Sequence, residues 1–158
     1  PVSGAAVLFV CLGNICRSPL AEAAMRAEAE RHRLTIRVDS AGTGDWHVGA
    51  PPDRRAQATA LRHGIDISGY RARQVAITDF HRFTHIFALD AANLGDLRAI
   101  APEDAVARLA LLMDVVPGRE GEPVKDPYFG SDEGFEETWR DVVTATRMLA
   151  KELAGQIH

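Results

Sequence analysis

The apolar run Ala6–Val10 (AVLFV) constrains the possible folds more than any other part of this sequence. It lacks polar alternation and is rich in β-forming residues, which is typical of a parallel strand buried on both faces. A loop follows, and after it the stretch PLAEAAMRAEAERHR is dominated by residues that favour helix. We predict a strand, a loop and a helix with Ser18 as its N-cap and Pro19 as its first residue. Within that helix, Glu22 and Arg26 form a supportive pair four residues apart.

Strand and helix patterns alternate along the rest of the chain. Strands are predicted at Thr35–Ser40, Thr84–Leu89 and Arg108–Met113, and helices at Asp53–His63, Ala91–Ile100 and around the helically spaced residues from Phe135 to Leu153. Gly64 suits the end of the second helix because it tolerates positive φ. This alternation predicts a Rossmann-like α/β three-layer sandwich, in which a four-stranded parallel sheet carries helices on both faces. Ligands bind beyond the C-terminal ends of such strands, and Cys11 stands at such an end.

The length and net charge of the chain narrow the classes of protein to which it can belong. Its 158 residues are the length of one ordinary domain, so we expect a single domain over residues 1–158. The formal net charge of −4 argues against nonspecific nucleic-acid binding and against a polybasic membrane anchor. No signal peptide and no apolar run of about 18 residues is visible, so we expect a cytoplasmic protein.

The chain has two cysteines, Cys11 and Cys16. A disulfide between residues so close in sequence closes a very small loop and is a poor structural staple. Two cysteines without a Cys/His cluster also fail to make a zinc site, so we predict no metal centre. We therefore expect Cys11 and Cys16 to serve neither as a structural disulfide nor as zinc ligands.

The segment VCLGNICRSP, residues 10–19, has the features of an anion-binding loop. Its backbone N–H groups can curl inward to form a nest, and Gly13 and Asn14 permit the left-handed backbone that such a curl needs. The following helix N-terminus adds positive potential, and the Arg17 guanidinium can grip two oxygens of a tetrahedral oxyanion. The predicted phosphate-binding residues are Leu12, Gly13, Asn14, Ile15, Cys16, Arg17 and Ser18.

Cys11 occupies the centre of this predicted cradle. A free cysteine is mostly protonated at neutral pH, and one helix terminus contributes only about 0.3–2 kcal/mol toward the thiolate. The loop amides, the Ser18 hydroxyl and Arg17 acting together supply more. We hypothesise that Cys11 is a thiolate that attacks phosphorus in a phosphate monoester. The alternative is an inert, small apolar residue after a buried strand.

The stretch VCLGNICRSPLAEA resembles the active-site loop of the low-molecular-weight protein tyrosine phosphatases. Four further stretches, DSAGTGDWHVGAPPDRRA, HGIDIS, RARQV and DPYFG, resemble the same family in the same order. The resemblance implies a Rossmann-like phosphatase fold that hydrolyses phosphotyrosine and aryl phosphate monoesters through a phosphocysteine intermediate. It implies no metal or organic cofactor. The implied partners are tyrosine-phosphorylated proteins, such as a bacterial tyrosine autokinase, and we expect a monomer.

The resemblance also assigns roles to individual residues. Cys11 is the nucleophile and Arg17 the phosphate clamp, and Ser18 donates a hydrogen bond to the Cys11 sulfur. Asn14 and Ser40 hold the strained loop by hydrogen bonding, although Ser40 by itself also fits an ordinary turn residue. Asp126, which heads DPYFG, is the general acid that protonates the leaving group and then activates water. From the residues alone, an Asp-Pro pair equally marks the start of a turn.

The specificity of such a site would come from the walls around the loop. Trp46, Tyr128 and Phe129 are aromatic residues in predicted loops, and they could flank a phenyl ring or simply pack under those loops. For His47 we favour a loop contact over a catalytic role. Where many relatives have two adjacent tyrosines, the second position here is Phe129.

The resemblance also bears on Cys16 and Tyr70. The resemblance implies that Cys16 can capture Cys11 in a reversible disulfide, although it also fits a small residue under the loop. Tyr70 stands where many relatives have histidine, which puts a local hydrogen bond in doubt.

Two alternative functions stay open. A thioredoxin-coupled arsenate reductase would need further cysteines to relay the disulfide, and a phosphocysteine carrier or phosphate-binding module would not need both Arg17 and the Asp126 motif.

Overall fold

The computed structural model describes residues 4–155. The strands are β1 (Ala6–Cys11), β2 (Arg37–Gly42), β3 (His85–Ala88) and β4 (Arg108–Leu111). The helices are α1 (Arg17–Arg31), α2 (Arg54–Arg62), α3 (Asp79–Arg82), α4 (Ala91–Ile100) and α5 (Asp132–Gly155). A 3₁₀ turn, Leu112–Val115, follows β4. No helix within residues 4–155 is both long enough and apolar enough to cross a lipid bilayer.

The four strands form one parallel sheet in the order β2-β1-β3-β4, as predicted. From β1 the chain passes through α1 to β2 on one side, and then returns to β3 on the other side of β1. The direction of strand order therefore reverses between β1 and β3. Such a reversal leaves a crevice at the C-terminal strand ends, where ligands bind in open α/β sheets. Cys11 ends β1 and Asp90 lies just beyond β3, so both residues border this crevice.

Strand β1 is buried on both faces, which explains its unbroken apolar sequence. Val7, Phe9 and Cys11 belong to the core shared with α1, α2 and α5. Leu8 and Val10 belong to the core on the opposite face, with residues of α3 and α4. A fully buried Leu or Phe contributes about 1.5–3 kcal/mol, so β1 anchors both cores. The predicted three-layer sandwich is confirmed.

The predicted start of α1 is wrong. The helix begins at Arg17, its N-cap is Cys16, and no side chain caps it. Ser18 lies inside the first turn and Pro19 is the third helical residue. The Ser18 hydroxyl is unavailable as a cap because it lies 3.0 Å from the Cys11 sulfur and accepts a hydrogen bond from Asn14.

Other boundaries differ by smaller amounts. Strand β2 starts and ends two residues later than Thr35–Ser40, and β4 gives way to the 3₁₀ turn after Leu111. Helix α2 agrees with its prediction, since Asp53 caps it by accepting from the Arg55 N–H at 2.8 Å and Gly64 has φ of 84°. Helix α3 was not predicted, because four residues are too few to show helical periodicity.

Candidate active site

The backbone of Cys11–Arg17, termed the Cys11 loop, turns three of its carbonyl groups outward. The carbonyl oxygens of Cys11, Leu12 and Ile15 accept hydrogen bonds from N–H groups outside the loop, at 2.9, 2.9 and 2.8 Å. In a planar trans peptide the N–H points opposite to the carbonyl, so the following N–H groups point toward the interior of the loop. This arrangement is compatible with the anion nest that the sequence predicts.

Two residues make this curled backbone possible. Asn14 has φ of 57°, which confirms the prediction of left-handed backbone there. Gly13 also permits such backbone but does not adopt it, since its φ lies outside the left-handed region. Gly13 instead lies close to the His47 side chain, since a Cβ at this position would lie 2.9 Å from Cδ2 of His47. His47 therefore contacts the Cys11 loop, as favoured from the sequence.

The Cys11 sulfur is buried and lies within hydrogen-bond distance of two donors. The Ser18 hydroxyl oxygen lies 3.0 Å from it, and the Asn14 N–H donates to it at 3.3 Å. The Asn14 side-chain amide donates to Ser18 at 2.8 Å and to Ser40 at 3.0 Å, and it accepts from the Arg73 N–H at 3.0 Å. Asn14 and Ser40 are thus in contact beneath the loop, as the resemblance implied.

Arg17 is buried beside the loop and is held by two acceptors. Its Nη1 donates to the Asp90 carboxylate at 2.7 Å and to the Val124 carbonyl at 3.0 Å. Its Nη2 lies 3.8 Å from the Asp126 carboxylate. Sequence reasoning missed Asp90, although it directly follows the predicted strand Thr84–Leu89, at the same sheet edge where Cys11 ends β1.

A cleft of about 190 Å³ opens above the Cys11 loop. It brings together most of the predicted site residues, namely Cys11, Leu12, Gly13, Ile15, Cys16, Arg17, Trp46, Asp126, Tyr128 and Phe129, and His47 also lines it. Asn14, Ser18 and Ser40 are absent from this lining and support the loop from below. The site therefore has a polar floor and largely apolar walls.

The aromatic walls differ in how firmly they are held. Trp46 is 71% exposed and Phe129 is 95% exposed, so both project from the rim. Tyr128 packs edge-on against Phe129 with ring centroids 4.9 Å apart. Arg55, which sequence reasoning missed, donates to the Tyr128 carbonyl at 2.9 Å and lies over the Tyr128 ring. Arg55 thereby connects α2 to the segment that carries Asp126.

Asp126 lies at the mouth of the cleft. Its side chain is 46% exposed, and one of its carboxylate oxygens accepts from the Tyr128 N–H at 3.0 Å. The other oxygen faces Arg17. A carboxylate in this position can reach both a bound ligand and solvent, as a group that exchanges protons must.

The second cysteine, Cys16, is a free, buried thiol at the start of α1. Burial raises the pKa of the Cys16 thiol, and repulsion from the Asp53 carboxylate adds to the rise. Because the thiolate is the reactive form, this rise makes Cys16 a weaker nucleophile than an ordinary cysteine at neutral pH.

A cysteine within an anion nest, an arginine beside it and a carboxylate at the mouth define a site for a tetrahedral oxyanion. The comparisons with known proteins agree with this class. Residues 6–158 match the model of the low molecular weight phosphotyrosine protein phosphatase family. The protein of that name from Schizosaccharomyces pombe is 39% identical over 151 residues, which cover 94% of this chain and 96% of the relative.

Solved structures extend the comparison. A protein tyrosine phosphatase from Entamoeba histolytica has a TM-score of 0.91 and 33% identity, covering 98% of this chain and 100% of its own. A Drosophila arginine phosphatase has a TM-score of 0.87 and 32% identity, covering 92% and 96%. The chain belongs to the low molecular weight phosphotyrosine protein phosphatase family. The family resemblance predicted from the loop and four further motifs is confirmed.

Proposed function

We propose that this protein hydrolyses phosphotyrosine and other aryl phosphate monoesters through a phosphocysteine intermediate. The main support for this proposal is that Cys11, Arg17 and Asp126 line the same cleft. The Cys11 sulfur accepts a hydrogen bond from the Asn14 N–H of the loop. These three residues supply the nucleophile, the oxyanion clamp and the acid that such a reaction requires.

In the first step the Cys11 thiolate attacks phosphorus and forms an S–P bond while the P–O bond to the leaving group breaks. The inward N–H groups and Arg17 bind the non-bridging oxygens, where negative charge concentrates in the transition state. Asp126 transfers its proton to the departing phenolate oxygen. Asn14 and Ser18 donate toward the sulfur, which stabilises it as the attacking thiolate and later as the leaving group.

In the second step water attacks the phosphocysteine. Asp126, now ionised, accepts a proton from that water while the S–P bond breaks. The products are inorganic phosphate and the Cys11 thiolate. Asp126 thus regains its proton, and the cycle needs no metal or organic cofactor.

The walls of the cleft favour an aromatic leaving group. Ile15, Trp46, Tyr128 and Phe129 offer apolar and aromatic surface to a phenyl ring. The Drosophila arginine phosphatase makes phosphoarginine the competing substrate. Its guanidinium group needs hydrogen-bond acceptors, and Asp126 is the one carboxylate among the residues that line the described cleft.

Kinetics with EDTA present test the proposal. The protein should hydrolyse p-nitrophenyl phosphate and a phosphotyrosine peptide without added metal. It should prefer the phosphotyrosine peptide to the matched phosphoarginine peptide by about 100-fold in kcat/KM, because apolar walls leave the guanidinium without acceptors. A higher kcat/KM for the phosphoarginine peptide would instead identify phosphoarginine as the substrate. Arsenate-dependent thiol oxidation without phosphatase activity would assign the reductase, and a stable phosphocysteine without turnover would assign the carrier.

We propose further that residues 1–158 form one catalytic domain, which is supported by a family match over residues 6–158. A catalytic thiol requires a reducing compartment, which favours the cytoplasm. The substrates are tyrosine-phosphorylated proteins such as an autokinase, and the catalytic residues described all come from one chain, which fits a monomer.

Loss of the Asp90 carboxylate is expected to weaken the phosphate clamp. In Asp90→Asn, the Arg17 guanidinium loses its nearest charged partner, and kcat/KM for aryl phosphates should fall about 10–100-fold, as expected for one charge-assisted hydrogen bond. Steady-state kinetics and thermal unfolding measure the effect. Asp96→Asn, an exposed substitution on the same helix α4, is the control. Equal kinetics for both variants would contradict the role of Asp90.

Loss of Cys16 is expected to make oxidation irreversible. Peroxide converts the Cys11 thiolate to a sulfenic acid, which condenses with the Cys16 thiol to a disulfide and releases water. In Cys16→Ser, the sulfenic acid persists and oxidises further. Activity after peroxide and then dithiothreitol, relative to each untreated enzyme, should recover in the natural protein and not in the variant. Equal recovery would remove the redox role.

A further inference from the structure

Glu22 is a buried carboxylate on α1 that the proposed reaction does not use. Its side chain is almost completely enclosed, which is costly for a charge unless it is paired and hydrogen-bonded. One oxygen accepts from the Ser40 hydroxyl at 2.6 Å, and the other accepts from Arg26 Nε at 2.9 Å. The Glu22–Arg26 pair seen in the sequence is therefore part of a larger hydrogen-bond network that also includes Ser40.

The arrangement continues from Ser40 to the Cys11 loop through Asn14. The Arg73 backbone N–H can only donate, and it donates to the Asn14 side-chain oxygen at 3.0 Å. This contact fixes the orientation of the Asn14 amide. Both hydrogens of its nitrogen therefore point to serine oxygens, one to Ser18 at 2.8 Å and one to Ser40 at 3.0 Å.

Each serine hydroxyl has a single hydrogen, so the direction of every bond is determined. Ser40 gives its hydrogen to Glu22 and accepts from Asn14. Ser18 accepts from Asn14, and its own hydrogen is left for the Cys11 sulfur at 3.0 Å. The other acceptor near Ser18, the Ala41 carbonyl, is at 3.5 Å and is too distant to compete.

We propose that ionised Glu22 is a positioning residue that acts through Ser40 and Asn14 to hold the Ser18 hydroxyl as a donor to the Cys11 sulfur. The inference rests on the proposed function, because it requires Cys11 to react as a thiolate. Glu22 touches neither the sulfur nor the cleft.

Only a carboxylate at position 22 can accept hydrogen bonds from both Ser40 and Arg26. Arg26 is an obligate donor, so a glutamine at position 22 would turn its oxygen to Arg26 and its NH₂ group to Ser40. The Ser40 oxygen would then face two donors, that NH₂ and Asn14, and its hydrogen would lose its acceptor. The Asn14 amide and the Ser18 hydroxyl would no longer be held in register with the sulfur.

A purely electrostatic role for Glu22 predicts the opposite sign. A negative charge close to Cys11 disfavours the thiolate, so its removal would make the thiolate form more easily. The charged or titratable groups around Glu22 are Arg26 on its own helix, Asp39 on β2 and Tyr70 on the segment after α2. Burial raises the pKa of Glu22, and the hydrogen bonds from Ser40 and Arg26 oppose that rise.

The experiment measures the rate of Cys11 alkylation by iodoacetamide against pH, quantified by mass spectrometry. In Glu22→Gln, the pH midpoint of alkylation should rise by about one unit, the scale of one hydrogen bond to a charged group. Glu28→Gln is the matched control, because Glu28 is an equally buried glutamate on α1 whose ion pairs are with Arg31 and Arg147. Its midpoint should equal that of the natural protein.

A second variant keeps the test decisive if Glu22→Gln folds poorly. Ser40→Ala cuts the same path and should raise the midpoint by a similar amount, and the double variant should show no further rise. An unchanged or lowered midpoint in a folded Glu22→Gln or Ser40→Ala variant overturns the inference. A natural protein whose Cys11 reacts only near the pH of an ordinary thiol, about 8.5, overturns the proposed function as well.

Discussion

Replacing Cys11 with serine is expected to abolish turnover of aryl phosphates while inorganic phosphate still binds. A serine hydroxyl is protonated at neutral pH and is a poor nucleophile without a base. Within residues 4–155, the groups that hydrogen-bond to the sulfur are the Ser18 hydroxyl and the Asn14 N–H, and neither is a base. The fall in kcat should reach at least about 10⁴-fold, as for the loss of other catalytic nucleophiles. The nest and Arg17 persist, so calorimetric titration with phosphate should give a Kd within a few-fold of the natural value.

The neighbouring cysteine supplies the comparison for this experiment. Cys16→Ser also removes one thiol from the loop but keeps the nucleophile, so it should retain measurable turnover. If Cys11→Ser kept more than a few per cent of natural activity, a nucleophile other than Cys11 would have to be found. A variant that bound no phosphate would indicate instead that the loop had collapsed.

Replacing Asp126 with asparagine is expected to have the second largest effect, and that effect should depend on the leaving group. Phosphotyrosine releases a strongly basic phenolate that needs a proton, so kcat should fall about 10²–10⁴-fold. p-Nitrophenyl phosphate releases a weakly basic phenolate, so its loss should be much smaller. Pre-steady-state kinetics with both substrates separates this first step from phosphocysteine hydrolysis.

Asp132→Asn is the matched control for Asp126→Asn. Asp132 is exposed at the start of α5, a short distance along the chain from the Asp126 segment. Its replacement should leave both substrates unaffected. Equal losses on the two substrates in Asp126→Asn would contradict proton transfer and assign Asp126 a purely structural role.

The fold was predictable from the sequence because its strongest signals are local. The unbroken run in β1 reports burial on both faces, and the alternation of strands and helices reports a parallel sheet. The Cys11 loop was predictable for the same reason, since nucleophile, nest and arginine are contiguous. The N-cap at Ser18 was predicted wrongly because a local capping rule competes with a contact that only the folded loop provides.

The residues that sequence reasoning missed act across long separations in the chain. Asp90 meets Arg17 only because β1 and β3 are neighbours, and Arg55 meets Tyr128 only because α2 packs near the Asp126 segment. Glu22 was recognised as half of a helix pair with Arg26, but its contact with Ser40 depends on how α1 lies on β2. Periodicity and motif spacing carry no information about such contacts.

The hydrogen bonds of the outward carbonyls hold the backbone of the Cys11 loop in its curled conformation. Because these groups are tied down by N–H donors of surrounding segments, the cradle is assembled before any anion arrives. Binding therefore requires little conformational ordering, and a site prepared for a phosphate ester is equally prepared for the free ion that hydrolysis releases. Inorganic phosphate in the surroundings will compete with every substrate, so the prevailing phosphate concentration will set how much of the enzyme is available for catalysis.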